Sequence, residues 1–168
     1  MYRFRLYYDK DKEEEYLNEM SAKGYAMKHY FLGLYHFEEC SPGEYTYRID
    51  LINDMTSKER KELYELVSDS GGEHVQSWGF WAFFRKKGKF ELYSDRESQI
   101  RQYERIRLVF LALALLEVIS AVTQWKRLGW EDTTSERTFA LIFTALSLIF
   151  IYQVIKATIK INKLKRNL

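Results

Sequence analysis

Over its first 90 residues the chain runs twice through one rhythm of apolar and polar positions. Phe4, Leu6 and Tyr8 alternate with Arg3, Arg5 and Tyr7, the period of a half-buried strand over residues 2–8. A helix is predicted over 11–23. Asp11 and Glu14 have capping-box spacing, and Gly24 stands where a helix end favours a left-handed residue. Two aromatic strands, 25–31 and 34–40, follow around Gly33. Residues 44–51 then alternate again, with Tyr45, Tyr47, Ile49 and Leu51 on one face and Thr46, Arg48 and Asp50 on the other. A second helix starts at Thr56, where Glu59 completes a capping box, and ends at Gly71-Gly72. Strands 73–78 and 80–86 surround Gly79.

Short segments of the two copies align. Phe4-Arg5-Leu6 matches Tyr47-Arg48-Ile49, Leu17 and Met20 match Leu63 and Leu66, and Gly33-Leu34-Tyr35 matches Gly79-Phe80-Trp81. The reading is a duplicated strand–helix–strand–strand unit. It predicts an α+β domain over residues 1–90: a mostly antiparallel six-stranded sheet with two helices on one face. Pro42-Gly43 marks the join.

After residue 107 the rhythm gives way to two unbroken apolar runs. LVFLALALLEVISAVTQW occupies 108–125 and FALIFTALSLIFIYQVI opens a second run over 139–159. Each suits a helix across a hydrocarbon layer roughly 30 Å thick. With the loop 126–138 between them they predict a transmembrane hairpin. Ser94 and Glu97 give another cap pattern, and no helix breaker follows Asp95. The linker 91–107 is therefore expected to continue into the first span as one helix from 95 to 125. Thr133 and Glu136 give the same signal before the second span.

Charge orients the hairpin. Residues 1–100 hold 15 Lys/Arg against 19 Asp/Glu, whereas the rest hold 11 against 5. Arg101, Arg105 and Arg107 precede the first run, and Lys156, Lys160, Lys163, Lys165 and Arg166 follow the second into the basic tail 160–168. The loop balances Lys126, Arg127 and Arg137 against Glu131, Asp132 and Glu136. Positive flanks place both termini in the cytoplasm of a multi-pass protein of the cell membrane, with Trp125 and Trp130 suited to the interface. Met1 runs directly into a strand pattern, so no signal peptide is expected. The lipid bilayer is thus the first partner. The acidic balance of the soluble part excludes nucleic acid.

Candidate chemistry is sparse. The only cysteine, Cys40, rules out an internal disulfide, and His29, His36 and His74 lack metal-ligand spacing. No phosphate loop, nucleophile elbow or Cys/His pair is present, so neither an enzyme nor a bound cofactor is expected. Glu13, Glu14 and Glu15 read as a helix N-terminal turn, where negative charge is favoured. The hairpin over 77–86 carries more aromatic residues than one buried face needs. Trp81 and Phe83, with Tyr35, Phe37, Arg48 and Asp50, are the candidate face for an amphipathic small ligand or a partner protein. Within the first span, Glu117 is costly at bilayer depth and is expected to meet Ser147 or Thr144, another membrane protein, or a second copy in a homo-oligomer.

Four stretches carry a resemblance: Tyr16-Leu17-Asn18-Glu19-Met20-Ser21-Ala22-Lys23-Gly24-Tyr25, Pro42-Gly43-Glu44-Tyr45-Thr46-Tyr47-Arg48-Ile49-Asp50, the hairpin from Ser77 to Lys86, and Leu92-Tyr93-Ser94-Asp95-Arg96-Glu97-Ser98. The chain resembles a family of unknown function whose domain often precedes membrane helices and is frequently encoded beside PadR-type repressors in Gram-positive bacteria. Tryptophan is common in that family where this chain has Tyr16 and Tyr25. The resemblance implies a regulatory role in envelope or stress response. In strand order alone, the duplicated unit is similar to GyrI-like effector-binding domains, which take small cationic amphipaths between two repeats. The expected function is a membrane-anchored cytoplasmic sensory or interaction domain. The alternative is a subunit acting on another membrane protein through its hairpin.

Overall fold

The computed structural model describes residues 1–127 and 134–166. The chain forms two units, Met1–Ser94 and Asp95–Leu168. In the first, β1 (Tyr2–Phe4), α1 (Lys10–Ala22), β2 (Tyr25–Phe31) and β3 (Leu34–Glu39) make one copy. The second copy comprises β4 (Tyr45–Leu51), α2 (Ser57–Asp69), β5 (Gly72–Trp78) and β6 (Trp81–Lys87). The strand orders are β1-β3-β2 and β4-β6-β5, all pairs antiparallel.

One offset relates the copies throughout. Lys10 and Ser57, Tyr25 and Gly72, and Leu34 and Trp81 each stand 47 residues apart. So do the register partners Phe4↔Leu34 and Leu51↔Trp81. Both β2 and β5 also carry an irregularity at corresponding sites, between Met27 and His29 and between His74 and Gln76. This corrects the sequence alignment by one residue in the hairpins and more at the first strands. The turn Leu32-Gly33 corresponds to Gly79-Phe80, so Tyr35 corresponds to Ala82, not Trp81. A one-residue slip exchanges the two faces of a strand.

The six strands form two three-stranded sheets in place of the continuous sheet expected. The inner edges, β2 and β5, lie side by side without a regular ladder between them, and each carries a bulge that adds local twist. Side chains of the second copy take over the edge groups of β2. Gln76 accepts from Tyr30 N (2.8 Å) and donates to Tyr30 O (2.7 Å). The Tyr47 hydroxyl accepts from Met27 N at 2.8 Å, and Arg85 donates to Met27 O at 3.3 Å. Backbone groups left by the missing ladder are thereby satisfied.

Each helix packs on the same repeat-equivalent face of its own sheet. Leu17 and Met20 of α1 meet Tyr35 and Phe37, whereas Leu63 and Val67 of α2 meet Ala82 and Phe84. The first cluster also takes Tyr47, Ile49 and Phe83 from the opposite face of the second sheet. The first copy is therefore stacked on the back of the second. Helix α1 seals the outer edge of β4 as well. Glu14 accepts from Ile49 N (2.8 Å), Asn18 from Tyr47 N (2.7 Å) and Ser21 from Tyr45 N (3.1 Å). The spacing of these three puts them on one stripe of the helix, and an edge strand so covered is not open to pairing.

Capping departs from the sequence reading in two places. Asp9, not Asp11, caps α1, accepting from Asp11 N at 3.0 Å. Asp95, not Ser94, caps the third helix, accepting from Ser98 N at 2.7 Å. In each case the carboxylate of the boundary aspartate reaches an otherwise unpaired N–H of the first helical turn. The Thr56–Glu59 capping box is formed as expected.

The second unit holds α3 (Arg96–Arg127) and α4 (Thr134–Arg166), a hairpin of two helices long and apolar enough to cross a membrane. Its seam is built from small residues, Ala114 and Ala121 of α3 with Ala140 and Ser147 of α4, all buried. Small side chains at seven-residue spacing let the helices approach closely. Trp130 and Thr133, read above as interfacial and capping residues, lie outside the described residues.

Candidate functional site

The three carboxylates at the start of α1 share a sequence run but have separate fates. Glu13 stands four residues before Leu17 and seven before Met20, on the stripe that α1 buries. Glu14, one position on, turns to the edge of β4. Glu15 pairs with Lys12 at 2.6 Å in solvent. Burial of Glu13 follows from its place on the apolar stripe.

Only 9% of Glu13 is exposed, and its Oε1 accepts a 2.5 Å hydrogen bond from the Tyr35 hydroxyl. Tyrosines surround this pair. Tyr30 and Tyr16 lie 4.6 and 5.5 Å from the Tyr35 ring, and Tyr7 lies 5.4 Å from Tyr16. Tyr30 also reaches the second copy, 5.4 Å from Phe83. Burial pushes the Glu13 carboxyl up to about 7, against the Tyr35 hydrogen bond, which favours the charged form, and with help from the nearby charge of Glu14. The Tyr35 hydroxyl is raised well above its ordinary range by burial and by the Glu13 carboxylate beside it. The result is a carboxyl able to ionise near neutrality inside an aromatic enclosure.

The six residues of the candidate face do not share a surface. Tyr35, Phe37 and Phe83 are essentially fully buried in the cluster between the sheets, with Trp81 packed against it. Arg48 and Asp50 pair in register with Phe84 and Ala82, on the other face of the sheet from Phe83. Arg48 donates to Tyr47 O at 2.8 Å, and buried Asp50 accepts from the Tyr93 hydroxyl at 2.6 Å. Aromatic excess in the hairpin thus serves a core shared by two sheets. The sequence run Glu13-Glu14-Glu15 reads as one acidic turn. The spacing of Glu13 from Leu17 and Met20 is the signal that distinguishes it from its neighbours.

In the hairpin, Glu117 sits three residues after Ala114 and four before Ala121, on the buried seam of α3. Its Oε2 is shielded from solvent and makes no hydrogen bond among the described residues. The hydroxyls expected near it are engaged elsewhere. Thr144 accepts from Trp125 Nε1 at 3.0 Å and donates to Ala140 O, and Ser147 donates to Thr144 O. The ring of Trp125 sets this pairing two helical turns from Glu117.

No curated protein and no solved structure matches the chain. A family model does, over residues 9–115, from the Asp9 cap of α1 through every strand but β1 and into the apolar part of α3. With more than half of its length matched, the chain belongs to the family described as Protein of unknown function (DUF2812).

Proposed function

We propose that this chain is a membrane-anchored sensor whose N-terminal unit takes a small organic cation at Glu13, with both termini in the cytoplasm. The observation that carries the reading is the buried Glu13–Tyr35 pair inside its ring of tyrosines. Burial holds the Glu13 carboxyl at about 7, and an organic cation would supply a charge that favours its ionised form while the surrounding rings face the cation's apolar surface. The enclosure is bordered by both copies, so a ligand there bears on how they stack. Residues 5–9, which carry Tyr7, have no regular structure and offer the way in. Basic flanks at Arg101–Arg107 and Lys156–Arg166 support the cytoplasmic orientation, and the resemblance to PadR-associated proteins supports reading the sensor as regulatory in an envelope or stress response.

The test is titration of the purified full chain with benzyltrimethylammonium, followed calorimetrically. Wild type is expected to bind saturably, more tightly at pH 8 than at pH 6, because the ionised form of Glu13 dominates above 7. Glu13→Gln is expected to lose at least tenfold in affinity and to lose the pH dependence. Equal binding by wild type and Glu13→Gln overturns the reading.

A second reading rests on Glu117. Its shielded, unpartnered oxygen supports a contact with another membrane protein, through which the hairpin would act. Replacing both spans by an unrelated hairpin separates the two: ligand response retained in cells favours the sensor, and response lost favours the hairpin.

A further inference from the structure

The stacking of the two copies leaves one face without its counterpart. In the second sheet, Ile49 and Phe83 are each 1% exposed because the first copy lies on them, and Leu51 on the same face is equally buried. The 47-residue offset maps these positions onto Tyr2, Phe4 and His36 of the first sheet. Tyr2 is 65% exposed and Phe4 64%. Register places Phe31 and Leu34 beside Phe4, and His29 and His36 beside Tyr2, all on this one face. Phe31 and Leu34 are 55% and 43% exposed, and Tyr2 stacks on His36 at 4.5 Å.

We infer that this outward face of the first sheet, Tyr2, Phe4, His29, Phe31, Leu34 and His36, is the contact between two copies of the chain. Three observations select a second copy. Its one acidic side chain, Glu38 at the end of β3, is offset by Lys28 at 3.3 Å and Arg85 at 3.8 Å, so pairing the face with itself brings no uncompensated like charges together. The equivalent face in the second sheet is already closed by protein, not by solvent or lipid. The exposed apolar area, on the order of 500 Å² per copy for three aromatics and a leucine, suits a weak, reversible dimer. Anchoring by the hairpin would confine copies to one plane and raise their effective concentration, so that a weak contact suffices. The inference stands apart from the ligand reading, since no residue of the Glu13 enclosure belongs to this face.

The test uses full-length chains carrying donor or acceptor fluorophores at their C-termini, reconstituted at equal density in phosphatidylcholine vesicles. Wild type is expected to show energy transfer above the level for random neighbours. Leu34→Glu, at an exposed position, should reduce transfer to that random level with unchanged thermal unfolding. Mixing Leu34→Glu with Leu34→Lys should restore it. Random-level transfer in wild type overturns the inference. So does transfer that survives Leu34→Glu, which would locate self-association in the hairpin. Lipid-attached quenchers that quench the domain's tyrosines in wild type but not in Leu34→Glu, without excess transfer, would make the bilayer the occupant and overturn it too.

Discussion

The two copies of the repeat have the same strand order, offset and bulges, yet their helices do different work. Helix α1 fills the space between two sheets and caps an edge strand of the other copy. Helix α2 covers one face of its own sheet and is otherwise lined with exposed ion pairs, Lys58–Glu62 and Lys61–Glu65. Leu17 is fully buried, whereas its counterpart Tyr64 is only partly so. Asn18 makes two hydrogen bonds to Tyr47, whereas its counterpart Glu65 is solvent-exposed. A duplicated unit therefore reaches a stable domain through asymmetric stacking: one copy is the lid, the other the floor.

That asymmetry can be broken by paired substitutions, compared by urea unfolding of the full chain in detergent. Leu17→Ala should cost about 3 kcal/mol, as a buried leucine at the junction of both sheets, against about 1 kcal/mol for Tyr64→Ala. Equal costs would mean that the copies do not share the core.

Glu13→Gln comes next, and its sign depends on pH. The folded carboxyl titrates near 7, above its ordinary 4.5, so the folded state binds its proton more tightly than the unfolded state. The stability associated with that proton is complete below about 4.5 and is lost as pH rises through 7. Glutamine stays neutral throughout. The variant should therefore be more stable than wild type at pH 8, by up to about 3 kcal/mol, and should show no such gain at pH 4.5. A gain of the same size at both pH values would refute the assignment.

Asn18→Ala leaves Tyr47 N and O at a covered edge without their partner and should cost about 2 kcal/mol. Glu65→Ala, in an exposed ion pair, should change stability by less than about 0.5 kcal/mol. The smallest effect sharpens the comparison by its symmetry. Asp9→Ala and Thr56→Ala each remove a helix cap and should each cost about 1 kcal/mol, because capping is local and indifferent to the stacking.

Features that depend on near neighbours were readable along the chain. The alternation around Tyr45–Leu51, the Thr56–Glu59 cap and the two apolar runs each rest on contacts within a few residues. The duplication is readable too, although equating Gly33 with Gly79 sets the register one residue off. Glycine marks a turn without saying which turn position it holds: Gly33 takes the second and Gly79 the first, both at positive φ. Aromatic excess in the hairpin suggested an open face because the pattern cannot show that a sheet is covered on both sides.

By itself the sequence determined the elements, their order, the repeat and the presence of two helices fit for a membrane, since periodicity and capping act within a turn or two of chain. Tertiary structure alone decided that α1 lies between the sheets, that Glu13 is shut in with Tyr35 while Glu14 binds a strand edge and Glu15 meets solvent, and that one sheet face is closed while its twin stays open. Those outcomes depend on which distant surface arrives to exclude water. Neither copy contains that information, because it belongs to the way one is laid on the other.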